Sequence, residues 1–386
     1  MVLSVFPSAT SFGATFFGVV LELVMAFWVL RVNKYPHRLS KRDERMAIFL
    51  CLANYLFCMV GGDFFTYKDL VEEAGYTQLI DYTIRDFHVE VTYVALINFV
   101  NNNYFLFRLI VWGGALFLFY LTANRLQLNR STFLFYLCCF IAPFTSTSRL
   151  ALALAVAFWG FSFIVKPFTR SRIISIFLGG IICLCSIWLH RSAPFIILVF
   201  PLALLPFNKH TIRLLAVLIP ALVIIVQTGV VDFILSMDST TEDSLIDAQT
   251  AQIYLQSNIL FKNKGPGHLT RLFFSYLSYF LIFILMIKSI WTGAYKSFPV
   301  HIQKLCNATI LVIVFALTFL VMPGANTYKT FERLIAFSIV PAAFSLSHML
   351  KVDSDKRLLK NVNLAIYCWV VYDAVYLLYC EYTFYF

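Results

Sequence analysis

Apolar residues in this chain fall into long unbroken runs rather than into the stripes of a soluble helical domain. Twelve such runs lie near Phe12 to Leu30, Met46 to Val60, Tyr104 to Leu121, Thr132 to Phe144, Leu150 to Val165, Ile173 to Leu189, Phe195 to Phe207, Ile212 to Leu235, Leu272 to Lys288, Cys306 to Met322, Leu334 to Leu350 and Leu364 to Cys380. Most are roughly 15 to 22 residues long, near the ~20 that a helix needs to cross ~30 Å of hydrocarbon. A backbone inside lipid must satisfy its own hydrogen bonds, so runs of this length predict helices rather than strands. The pattern therefore predicts an all-α, polytopic integral membrane protein of about 12 transmembrane helices, a single domain over residues 1–386.

Composition agrees. With 60% hydrophobic and 13% charged residues and a mean hydropathy of +0.80, the chain has too much apolar surface for a water-soluble core. No basic segment precedes the first run, which is long enough to span, so it is expected to stay as a helix rather than be cleaved. The nine cysteines sit in or beside apolar runs, where packing is expected of them rather than disulfides or zinc.

The net charge of +10 changes meaning once its distribution is considered. Arg31, Lys34, Arg38, Lys41, Arg42 and Arg45 follow the first run, and Lys351, Lys356, Arg357 and Lys360 follow the eleventh. Counted over alternate loops, twenty of the 30 Lys and Arg fall on one face, with only four acids, Asp43, Glu44, Asp353 and Asp355. The positive-inside rule makes that face cytoplasmic and puts both termini outside. Basicity is thus a topology signal, and nucleic acid is not an expected partner.

Two outer loops exceed simple connectors, 61–103 and 237–271. In the first, Phe87, Val91, Val94, Ile97 and Val100 have helical spacing suited to an interfacial helix. The second ends in Lys262-Asn263-Lys264-Gly265-Pro266-Gly267-His268, a turn signal that could hinge a lid.

The outer face carries three arginines at the starts of apolar runs. Arg149 follows Thr145-Ser146-Thr147-Ser148, Arg191 is followed by Ser192 and Pro194, and Arg333 comes three residues after Thr330. Each neighbourhood has helix-start chemistry. A guanidinium, free backbone N–H groups and the positive end of a helix dipole then coincide, which suits phosphate or diphosphate. For any one arginine, snorkelling to a lipid head group is the competing explanation. Asp63 and Glu90 are candidate bases toward a sugar hydroxyl, with His190 as a third. Some outer Tyr residues could stack on sugar rings. Glu22, Arg108 and Asp373 fall within runs, where a charge is either functional or paired within the bundle.

Gly62-Asp63-Phe64-Phe65-Thr66-Tyr67, then Glu90-Val91-Thr92-Tyr93 leading to Asn101-Asn102-Asn103-Tyr104-Phe105-Leu106-Phe107, resembles the opening pattern of EpsG-type and Wzy-type bacterial polysaccharide polymerases. Ser148-Arg149-Leu150-Ala151-Leu152-Ala153, His190-Arg191-Ser192-Ala193 and Glu332-Arg333-Leu334-Ile335-Ala336-Phe337 are similar to later elements of that family in the same order. The pattern departs from the family at Phe64-Phe65, where Tyr is frequent, and at Arg191, where a less basic residue is usual. The resemblance implies a multi-spanning, GT-C-type glycosyltransferase that joins polyprenyl-diphosphate-linked oligosaccharide repeat units, of O-antigen, capsule or exopolysaccharide, at the outer face of the cytoplasmic membrane. It implies no cofactor, with membrane lipids, a chain-length regulator and a flippase as partners. Under it, Arg149, Arg191 and Arg333 bind the diphosphate, Asp63, Glu90 or His190 acts on the acceptor, and Tyr67 and Tyr93 contact sugar. The outer loops hold no Asp-x-Asp, so the transfer is expected to need no metal. A lipid-linked oligosaccharide flippase or other transporter, an O-antigen ligase and a membrane acyltransferase are the rival classes.

Overall fold

The computed structural model describes most of residues 20–34, then 40–57, 71–72, 91–128, most of 132–136, 148–168, 170–190, 193–227, 266–320, 331, 334–352 and 356–385. Among these residues the chain is helical, with no strand. Its principal helices are α1 (Lys41–Phe57), α2 (Val91–Phe99), α3 (Tyr104–Arg125), α4 (Ser148–Val165), α5 (Arg172–Cys185), α6 (Ala193–Ala203), α7 (Lys209–Gln227), α8 (Pro266–Thr292), α9 (Val300–Leu320), α10 (Ile339–Val352) and α11 (Lys356–Tyr385). Among the described residues, three segments are long and apolar enough to cross a membrane by length and composition, Tyr104–Arg125, Phe273–Thr292 and Val300–Thr318. Arg149–Val165, Arg172–Trp188, Ala193–Ala203 and Leu334–Leu350 are shorter apolar helices.

Asparagine shapes the passage from α2 to α3. The Asn101 N–H bonds the Asn98 carbonyl and the Asn102 N–H bonds that of Ile97, the paired bonds of a Schellman ending, with Asn101 left-handed at φ 52°. Asn tolerates that backbone better than other non-glycine residues. Asn103 then caps α3, its side chain accepting from the Leu106 N–H at 3.0 Å. Val94, Ile97 and Val100 pack on Tyr104 and Phe107 with Leu152 of α4. The helical spacing expected of an interfacial helix is thus used for protein packing over 91–100. Asn103→Ala is expected to cost ~1 kcal/mol of stability and Asn103→Asp much less, measured by thermal unfolding in detergent.

α4 and α5 form an antiparallel hairpin whose logic belongs to lipid rather than water. The buried residues of α5 are Ser175, Gly179 and Cys183, one every four positions. Its bulky residues face away, with Ile173 83% and Phe177 69% exposed. Small residues let the backbones approach, and lipid tails solvate the large ones. A Cβ built on Gly160 would lie 2.6 Å from the Gly179 carbonyl oxygen, and one on Gly179 would lie 2.7 Å from that of Gly160. Ser175 Oγ donates to the Phe163 carbonyl at 3.0 Å and Cys183 Sγ to that of Ala157 at 3.3 Å.

The main core joins α3, α4, α6 and α8 to α11. Phe344 stacks on Phe133 with centroids 4.1 Å apart, and Phe161 stacks on Phe200 at the same separation. α6 ends with carbonyls that α9 satisfies: Asn307 Nδ2 donates to Ala203 and Leu205, and Lys304 Nζ to Leu204 and Leu205. The Tyr295 hydroxyl holds Asn307 Oδ1 at 2.6 Å. Burial pushes the Tyr295 hydroxyl's pKa up, so it remains a donor. Pro266 and Gly267, expected at a turn, instead open α8, Pro being favoured in a first helical turn. Residues 228–265, most of the expected lid, lie outside the described residues.

Candidate functional site

The hairpin of α4 and α5 returns the chain to the end from which α4 set out. Ser148 opens α4, so Arg149 is in its first turn, where backbone N–H groups have no carbonyl of the preceding turn to bond. At the far end of α5 a 3-10 turn, Ser186–Trp188, precedes His190. The His190 N–H bonds the Ser186 carbonyl, and its own carbonyl accepts from Ala193 at the start of α6 at 2.9 Å. The returning turn is tied to α2, since Thr92 Oγ1 donates to the Trp188 carbonyl at 2.9 Å.

Tyr93 connects the same α2 turn to α4. Its hydroxyl donates to the Arg149 carbonyl at 3.3 Å, and the Arg149 Cζ lies 5.5 Å from the centre of its ring, within cation–π range. Phe107 meets the Tyr93 ring edge-on at 6.0 Å. The ring is only 1% exposed, whereas Arg149 and His190 are half-buried. Tyr93, its ring buried, therefore touches both the backbone and the guanidinium of Arg149.

Three candidate residues from separate stretches, Tyr93, Arg149 and His190, thus belong to elements that meet at one end of the bundle. Asp63, Tyr67, Glu90, Arg191 and Arg333 lie outside the described residues, as does Glu22. Arg108 and Asp373 are 3% and 1% exposed, placing both charges inside the protein rather than at lipid. Thr92 and Trp188 are the additions that the structure makes to the candidate set. Only proximity to Tyr93 and His190 marks them in the sequence, because their bond spans 96 positions.

The elements that carry a cation with helix-terminal N–H groups and those that carry an imidazole meet at this end, on a scaffold fixed by aromatic packing. A guanidinium at a helix N-terminus suits an anion, and an imidazole can accept a proton. The family model described as EpsG family matches residues 45–386, which include every candidate site residue from Asp63 to Arg333. The chain belongs to the EpsG family. It matches no curated protein and no solved structure at a significant level. EpsG membership points to polysaccharide polymerisation and, with the apolar helices, to a membrane protein.

Proposed function

We propose that this EpsG-family protein transfers polyprenyl-diphosphate-linked oligosaccharide repeat units onto one another at the outer face of the cytoplasmic membrane. About 12 spans, a GT-C-type architecture and external termini belong to this reading, as do O-antigen, capsule or exopolysaccharide as products. The observation that carries it is Arg149: a guanidinium in the first turn of α4, braced by Tyr93 and held at the bundle end that also carries His190.

In the reaction, an acceptor hydroxyl oxygen attacks the donor's anomeric carbon and the carbon–oxygen bond to the diphosphate breaks. The acceptor proton passes to a base, and the polyprenyl diphosphate leaves with an added negative charge. Arg149 and Arg333, with Arg191, bind that diphosphate and stabilise the charge as it develops. Asp63, Glu90 or His190 orients or deprotonates the acceptor. Tyr67 contacts sugar, and Tyr93 positions Arg149. Direct displacement inverts the anomeric centre and, on this reading, needs no metal. A chain-length regulator and a flippase are the proposed partners.

Purified protein in proteoliposomes, given lipid-linked repeat units, is expected to produce a ladder of progressively longer glycans. Movement of the units across the bilayer without any ladder would mark a flippase. Transfer of one unit to a different lipid acceptor, again without a ladder, would mark a ligase.

A further inference from the structure

The opposite end of the bundle, about 27 Å away along the 18 residues of α4, gathers basic groups that the proposed transfer does not use. Arg125 closes α3, Lys166 follows α4, His301 is in the first turn of α9, and His348 is near the end of α10. The Arg125 guanidinium is clamped between two rings, its Cζ 3.9 Å from the centre of Phe163 and 4.5 Å from that of Phe168. Its Nη2 donates to the Lys166 carbonyl at 2.6 Å. His301 lies near the Leu126 backbone, Lys166 and His348.

Two donors in this cluster lack acceptors. Arg125 Nε and Lys166 Nζ are buried atoms with no hydrogen-bond partner. Among the described residues, no carboxylate pairs with Arg125, Lys166 or His301; the described ion pair, Arg31 with Asp43 at 2.7 Å, belongs to the start of α1. Burial, and then the neighbouring Arg125 charge, lower the Lys166 pKa. A shielded ammonium beside a fixed guanidinium is costly unless an anion joins them.

We propose that Arg125 and Lys166 form a second anion site, at the bundle end opposite Arg149, for a phosphate group. A tetrahedral oxyanion supplies several acceptors to donors arriving from different directions, and a guanidinium and an ammonium are suited to bind it together. The phosphate arrives either as a free anion or as the head group of an anionic phospholipid. A cluster at the ends of membrane-length helices lies at head-group level.

The test uses the full-length protein, delipidated in a neutral detergent, with thermal unfolding as the readout. Inorganic phosphate is titrated against chloride at matched ionic strength, and phosphatidylglycerol against phosphatidylcholine in mixed micelles. A saturable rise in melting temperature is expected with a phosphate-bearing anion. If inorganic phosphate suffices, the ligand is the free anion; if phosphatidylglycerol alone acts, it is the lipid head group. Lys166→Gln should raise the half-saturating concentration at least tenfold. Lys360→Gln, at an exposed position on α11, should leave it unchanged. Without ligand, Lys166→Gln should unfold at the wild-type temperature or above, because it removes a cation from a repulsive cluster. Absence of saturable stabilisation by both probes overturns the site, as does an undiminished response in Lys166→Gln. A Lys166→Gln protein that fails to fold also overturns it, by showing that the ammonium is structural.

Discussion

Arg149→Ala is expected to reduce ladder formation by ~10²–10³-fold, the usual consequence of removing one fixed donor to a developing oxyanion, while the protein still purifies as a folded monodisperse species. Arg149 is half-buried in the first turn of α4, at one end of the bundle. Its removal therefore subtracts charge without leaving a large cavity. Arg149→Lys should retain only part of the activity, since an ammonium keeps the charge but not two parallel N–H donors. Tyr93→Phe should cause a smaller loss than either. It deletes the hydroxyl that bonds the Arg149 carbonyl but keeps the ring beneath the guanidinium. Rates measured against lipid-linked repeat units in proteoliposomes give this order directly. A wild-type rate in Arg149→Ala would remove the diphosphate role from this arginine.

That ordering depends partly on features readable in sequence and partly on features that are not. The helix start at Arg149 was legible because the Thr and Ser residues before it are cap formers and the residues after it are continuously apolar. Pro194 in the first turn of α6 was legible for the same local reason. Tyr93 was visible as an aromatic residue in a family-like motif, yet its role was not. Its burial follows from Phe107 and Arg149, and the latter is 56 positions away. α5 reverses the usual inference from hydrophobicity: its most apolar face meets lipid, and the face that meets protein is Ser175, Gly179 and Cys183. A reading based on hydrophobic content finds such a helix but cannot orient it. Positive-inside bias accounts for loop cations such as Arg125 and Lys166 without distinguishing a solvated Lys from one whose Nζ is buried.

The contact between α4 and α5 leads to the largest expected structural effect, and two adjacent glycines supply its control. Gly179→Ala places a methyl group against the Gly160 carbonyl at 2.7 Å, with the Ile164 side chain at 2.9 Å. Backbone cannot rotate away as a flexible side chain does, so the hairpin must separate, at an expected cost of about 1–3 kcal/mol. Gly160→Ala meets the Gly179 carbonyl at 2.6 Å and the Cys183 nitrogen at 2.7 Å and should be at least as harmful. Gly180→Ala adds a methyl group where nothing lies within 4 Å. It should be neutral or stabilising by up to ~1 kcal/mol through helix propensity. Thermal unfolding of the three variants separates close packing from glycine's general cost in a helix. The same distortion should reach function, because α5 carries the turn whose Trp188 carbonyl bonds Thr92 beside Tyr93. Displacing that turn by about 1 Å can reduce a positioned reaction by ~10²-fold. Gly179→Ala should therefore lose polymerisation at temperatures where it remains folded, and Gly180→Ala should not. Equal melting temperatures for Gly179→Ala and Gly180→Ala would rule out the close approach of the two backbones as a determinant of the fold.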